Sequence, residues 1–397
     1  MEGAGHKSRN VYVFGLTSLL NDTASEMAYW ILPAFLTAIG AGPATLGLIE
    51  GVAESVASLG KLFSGYLTDR MRRRKPIVVF GYAVANLLKP LLALAQVWWH
   101  VLFIRFGDRL SKGLRGAPRD VMLAESVEQA KVGSAYGLLQ AMDSAGAIVG
   151  PAVALLFVGS LGLRGVFWVA AIPGLAAIVV IVLFARETGS SSPAPIAAGG
   201  ASAHRDLVPS APLQLPASYY YVLIVVALFS LGNSSDMFLV LRAQAAGIPV
   251  RHAPLLGLVF NLTYTAFSWP AGYLSDRMPK HSLVAAGYLV FAVVYAVFAA
   301  APSTTLLWLM MAFYGLFYAF TSPVLKGVVV EQAPAEARGR AFGIFNFVTS
   351  VAALLSSILT GELWKVYGPA VPFTLSAGLA LIAAILLLAR GWRVKAA

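Results

Sequence analysis

The chain contains no cysteine, which excludes a disulfide framework, a thiolate metal site and a cysteine nucleophile together. Charge is nearly as scarce. Asp, Glu, Lys and Arg make up only 12% of the 397 residues, against roughly 25% in an ordinary soluble protein whose surface must be wetted. Five histidines are present, so a transition-metal site has few soft ligands to draw on. No Gly-x-x-x-x-Gly-Lys-Ser/Thr loop occurs, so nothing is built to cradle a nucleotide phosphate. A removable signal peptide is also missing: the basic MEGAGHKSRN segment leads into an apolar stretch that holds Asn21, Asp22 and Glu26, with no small-residue cleavage site behind it.

What is abundant is apolar surface, at 58% hydrophobic residues. Cut at turn and charge clusters into pieces of about 20 residues, the sequence predicts an all-α membrane protein with twelve spans. They fall near 11–39, 44–67, 76–97, 100–123, 134–158, 163–185, 219–245, 253–274, 282–301, 304–329, 341–361 and 370–390. Residues 186–218, rich in Ser, Pro, Ala and Gly, are too poor in apolar area to fold alone and read as a flexible cytoplasmic linker. The organisation expected is a six-helix half over 1–185, the linker 186–218, and a second six-helix half over 219–397.

The balance of 29 Lys and Arg over 18 Asp and Glu gives a net charge of +11. Nucleic-acid binding does not explain a positive excess dispersed among long apolar runs, whereas cationic cytoplasmic loops do. Lys7, Arg9, Arg70, Arg72, Arg73, Arg74, Lys75, Arg186, Arg277, Lys280, Arg338 and Arg340 fall on one side of the twelve spans, and Arg164, Arg251 and Lys365 on the other. Both termini are therefore expected in the cytoplasm, in a multi-pass protein of the cell (inner) membrane.

An internal repeat supports the two-half organisation. GYLTDRM begins at Gly65 and GYLSDRM at Gly272, 207 residues later; Gly133, Tyr136 and Gly137 are echoed by Gly339, Phe342 and Gly343, 206 residues later. In the loop after the second span, Gly65, Asp69, Arg70, Arg73 and Arg74 follow a Gly-x-x-x-Asp-Arg-x-x-Arg-Arg pattern, and the second copy keeps Gly272, Asp276 and Arg277. The fourth span carries Arg109-Leu-Ser-Lys-Gly-Leu-Arg-Gly-Ala, and the fifth Gly146-x-x-x-Gly150-Pro151. These motifs resemble those of the major facilitator superfamily of secondary transporters.

That resemblance implies a solute carrier rather than an enzyme, working by alternating access of two pseudo-symmetric halves, with no cofactor beyond a proton gradient. It casts the loop residues as a gating latch, Arg109 as a participant in proton transfer, and Gly146, Gly150 and Pro151 as an antiporter-like motif. Lys112 and Arg115 replace the family's Gln and Gly in the fourth span, which disfavours a neutral or cationic substrate.

Ionisable groups at membrane depth cost at least about 2.5–3.5 kcal/mol each on insertion scales, so each needs a partner or a purpose. The first half is rich in them: Asp22 and Glu26, Glu50 and Glu54, then Arg105, Asp108, Arg109, Lys112, Arg115, Arg119 and Asp120 at helical spacings, and Asp143. Three uses fit: buried pairs that lock the half together; an aqueous cavity with a proton-carrying acid and a cationic patch for an anionic or zwitterionic substrate; or a divalent-cation site. On the second use, proton coupling falls to Asp22, Glu26 and Arg109, with Asp143 and Glu54 in reserve. Substrate contact falls to Lys112, Arg115, Asn233, Asp236 and Tyr264, and the C-terminal aromatics, Tyr314 and Phe317 among them, are expected to cover the organic body of a ligand. No resident metal is expected.

The function expected is proton-coupled efflux of a small anionic, zwitterionic or amphiphilic compound by a monomer in the lipid bilayer. An uptake permease for an anionic metabolite and a divalent-metal exporter are the alternatives.

Overall fold

A chain made of long apolar runs satisfies its backbone in a bilayer by forming helices, because each N–H and C=O then finds its partner within its own segment. The computed structural model describes residues 2–70, 73–127, 132–188, 215–275, 277–332 and 338–395, and among them there are helices and turns but no strand. The linker residues 189–214 lie outside the described set.

The elements are α1 (Glu2–Tyr29), α2 (Leu32–Ala38), α3 (Pro43–Arg70), α4 (Lys75–Leu88), α5 (Trp98–Glu125), α6 (Val132–Phe184), α7 (Ala217–Gly232), α8 (Met237–Ala245), α9 (Ala253–Ser275), α10 (Lys280–Ala300), α11 (Thr304–Gln332), α12 (Arg338–Tyr367) and α13 (Ala370–Lys395). They follow the twelve predicted spans, with three breaks the sequence pattern did not mark. The first span is divided at Trp30 and Ile31, since Pro33 stands in the first turn of α2 and cannot continue the ladder of α1. The third gives way at Lys89 to a 3-10 turn, Lys89–Leu94, again with a proline in its first turn. The seventh is interrupted between α7 and α8, around Asn233. Conversely, the fifth and sixth spans run on as α6 with only Gly162 non-helical, at φ 67°, a left-handed conformation that glycine adopts without a Cβ penalty.

By contacts the chain forms two compact units. One contains α1 to α6 together with Asp236–Asn261; the other contains α7 and the chain from Leu262 onward.

In the first unit α1 packs along α6, α3 along α5, and α4 on α5. Lipid is as apolar as leucine, so close backbone contact replaces hydrophobic exclusion as the source of helix association. Glycine supplies it: a Cβ on Gly113 of α5 would come within 2.6 Å of the Ala57 carbonyl and 2.8 Å of the Gly60 Cα on α3. We expect Gly113→Ala to destabilise the protein by about 1–3 kcal/mol, seen as a lower thermal midpoint in detergent. Gly116→Ala, where an added Cβ meets nothing within 4 Å, is the control expected to leave that midpoint in place.

Large apolar side chains such as Leu156, Ile172, Leu183 and Ile224 are exposed on the exterior while Glu50 and Asn86 are buried, the distribution a lipid solvent selects.

The second unit has an aromatic core. Phe229 stacks on Tyr288 at 3.8 Å between ring centroids, Phe291 on Tyr295 at 3.9 Å, and Phe317 and Phe373 close around them. Tyr314 and Phe317, two members of the expected aromatic wall, lie within this packing, at 0% and 2% exposed.

Candidate functional site

The proline that ends α1, and the one that turns α4 into a 3-10 segment at Lys89, open space beside α5 in the first unit. The resulting cavity encloses about 570 Å³ of empty space, including the part open to solvent. Asp22, Ser25, Glu26 and Tyr29 line it from α1, Lys89 from the 3-10 turn, and Arg105, Asp108, Arg109 and Lys112 from α5. Four cationic and three anionic side chains thus share one chamber.

Most of these charges are already matched. Arg105 donates from Nη2 at 2.6 Å and Nε at 3.0 Å to one oxygen of Glu50 on α3, with both residues buried. Lys89 Nζ stands 3.8 Å from Asp108 and donates to Asn86 Oδ1 at 3.0 Å. Asn86 in turn donates to Asn21 Oδ1 at 3.1 Å, and Asn21 donates to Asp22 at 2.9 Å. Arg109 lies 3.6 Å from Glu54. The stretch from Lys89 through Asn86 and Asn21 to Asp22 holds together because each member is hydrogen-bonded to the next.

Three groups remain outside the pairing. Lys112 is exposed toward the chamber and, like Asp22 and Glu26, forms no ion pair with another described residue. Glu26 accepts a hydrogen bond from Trp30 Nε1 at 2.8 Å.

Behind the two acids lies the small-residue motif of α6. A Cβ on Gly146 would stand 3.0 Å from that of Asp22, and one on Gly150 2.7 Å from that of Glu26. Gly146, Gly150 and the buried Pro151 therefore set the depth at which α1 presents both carboxylates.

The remaining sequence candidates are distributed as follows. Arg115 is not on the chamber: it donates to the Gly81 carbonyl at 3.3 Å and covers the Tyr82 ring at 4.2 Å, in the α4–α5 seam. Asp143 sits a turn from Gly146 with one carboxylate oxygen buried and unpartnered, and it also lies outside the chamber. Asp236 immediately precedes α8 in the first unit. Asn233, with its Oδ1 buried and unpartnered, and Tyr264, edge-on to Tyr318 at 5.9 Å, belong to the second.

In the loop motif, Arg74 pairs with Glu125 at 2.6 Å while Glu187 accepts from the backbone N–H groups of Arg74 and Lys75; Arg73 is exposed. Arg277 covers Tyr273 at 4.2 Å. The side chains of Asp69 and Arg70, the surroundings of Gly65 and Gly272, and residue Asp276 lie outside the described residues. Among the described residues no group of three or more His, Cys, Asp or Glu is placed to hold a metal ion.

Lys89, which lines the chamber, and Trp30, which donates to the lining residue Glu26, are not marked by the sequence pattern. A lone lysine before a proline inside an apolar run was the available signal for the first, since an intramembrane charge is functional by default. The second had no signal, as a tryptophan in an apolar span reads as packing.

A helical, lipid-facing scaffold with a charged internal chamber defines a multi-pass membrane transporter, not an enzyme. The chain belongs to the Major Facilitator Superfamily, whose sequence profile matches residues 14–250 and 222–396. An uncharacterized MFS-type transporter of Methanocaldococcus jannaschii is 34% identical over 96% of this chain and 94% of its own. The multidrug resistance protein MdtG of Escherichia coli is 24% identical, covering 95% and 93%. Among solved structures, a POT family transporter in complex with a thioalcohol-conjugated peptide superposes with a TM-score of 0.80 at 12% identity, covering 98% of each chain.

Proposed function

We propose that the protein exports a small zwitterionic or amphiphilic anionic compound in exchange for protons. One observation carries the reading: in a chamber where the other charges are paired, Lys112 on one wall and Asp22 and Glu26 on the other form no ion pair with another described residue. A solute bearing an acidic and a basic group supplies both missing partners. Glu26 exchanges that basic group for a proton, with Arg109 and Asp22 setting the local field, and this competition for one carboxylate is what couples the two fluxes. The similarity to a protein named for multidrug resistance supports export.

In this scheme the halves before and after the linker work by alternating access, both termini are cytoplasmic, and a monomer in the cytoplasmic membrane suffices. The loop motif with Asp69, Arg70, Asp276 and Arg277 serves as the latch.

In everted vesicles holding an inside-acid gradient, addition of substrate should dissipate the gradient; alkalinisation of the external medium without dissipation is the result that overturns antiport. The substrate class itself is found by a thermal-shift screen of solutes, because binding raises apparent stability by mass action. For the solute so found, Lys112→Gln should weaken binding about tenfold, the loss of about 1.4 kcal/mol from one charge-assisted contact.

Uptake of an anionic metabolite is the competing reading, favoured by the excess of four cationic over three anionic lining residues. The same excess opposes export of a divalent cation.

A further inference from the structure

Trp30 occupies the break between α1 and α2 and is among the largest fully buried side chains in the protein. Its two faces of contact differ in kind. Through Nε1 it donates to Glu26 Oε2 at 2.8 Å. Through its ring it lies flat against Gly257 of α9, where an added Cβ would collide with the fused ring atoms, and meets Phe260 at 5.8 Å between centroids. Both α9 residues belong to the same compact unit as Trp30, and α2 packs on α8 beside them. Any side chain at position 257 would deny the indole this seat.

We propose that Trp30 is a positioning residue that ties occupancy of the Glu26 carboxylate to the seating of α9 on the first span. With Glu26 accepting from the indole, the ring is held over Gly257 and the outer end of the chamber is shut. A cationic group of the solute that claims the same carboxylate oxygen leaves the indole without its acceptor, the ring turns, and α9 leaves its seat. A proton arriving on Glu26 then displaces the solute, and the neutral carboxyl still offers its carbonyl oxygen to the indole, so the seat re-forms. The charged groups facing Glu26 are Asp22 on its own helix and Arg109 and Lys112 on α5; α6 offers Gly150 and α9 offers Gly257 and Phe260. The indole is therefore the link from this carboxylate to α9. The inference rests on the reading of Glu26 as the group contested by solute and proton.

The test uses the natural absence of cysteine. Ser25, on the chamber wall, is replaced (Ser25→Cys) and labelled from outside intact cells with a membrane-impermeant maleimide. On that background Trp30→Phe, which keeps a ring and removes the N–H, should speed labelling at least fivefold, and so should Gly257→Ala, which unseats the ring. Glu26→Ala removes the acceptor and should do the same, whereas Glu26→Gln, whose amide oxygen still accepts, should label at the parent rate. Unchanged labelling in both Trp30→Phe and Gly257→Ala, or equal labelling in Glu26→Ala and Glu26→Gln, overturns the proposal. Failure of the underlying reading shows separately, as gradient-driven flux that survives Glu26→Gln.

Discussion

Glu26→Gln should reduce gradient-driven, concentrative flux by at least about tenfold, which corresponds to losing more than about 1.4 kcal/mol of coupling, while solute exchange at equal pH on the two sides continues. The amide keeps the shape of the carboxylate and its bond from Trp30 but has no proton to exchange, so it removes the linkage and leaves the cavity. The α6 glycines make the test clean: Gly150 presses against the Cβ of residue 26, which Gln retains. Vesicle flux with and without an imposed pH gradient reads the two activities in one preparation. Concentrative flux that survives in full moves the proton site to Asp22, which lines the same chamber, or to Asp143, whose unpartnered oxygen lies about two turns along α6 from Gly150.

The architecture was legible because bilayer physics leaves a loud trace. Apolar runs of fixed length specify membrane-spanning helices, and the duplicated GYL-x-DRM motif points to the family; neither depends on side-chain detail. What escaped were the places where that regularity breaks. Pro33 was counted inside a span, yet it divides α1 from α2 and creates the end of the chamber. Lys89 disappeared into the apolar LLKPLLALA run although it anchors the Asn21–Asn86–Asp108 ladder.

Arg115 continues the charged stripe of α5, and on that spacing alone it reads as a substrate contact. It lies seven residues beyond Asp108, nearly in line with it but about 10 Å further along the axis. At that level α4 is still a regular helix, and Gly81 admits the arginine against it. Helical spacing gives the direction of a side chain, whereas the neighbouring helix decides whether that direction opens on a cavity or a seam. Lys112 and Glu26, by contrast, line the chamber, where α5 and α1 face the broken segments.

Glu50→Ala, which strands the lining residue Arg105, should destabilise the protein by about 3–5 kcal/mol, the usual consequence of breaking a buried ion pair. Glu50 is 1% exposed and Arg105 7%, so water cannot replace the lost partner. Asp108, at 3.9 Å from Arg105, takes over part of the charge but is already committed to Lys89. Replacing both members with apolar residues, Glu50→Leu with Arg105→Met, should restore most of the loss, since the desolvation of two charges is then removed along with their attraction. Thermal denaturation in detergent of the two single variants and the double variant reads this as a double-mutant cycle.

The cycle also separates the two uses of charge in this half. If the double variant regains stability and still exchanges solute, the Glu50–Arg105 pair is a lock between α3 and α5, and the chemistry belongs to the unpaired set of Lys112, Asp22 and Glu26. If it regains stability but exchange is lost, Arg105, which approaches the Tyr29 ring at 5.8 Å, serves the solute directly and joins Lys112 as an anion contact.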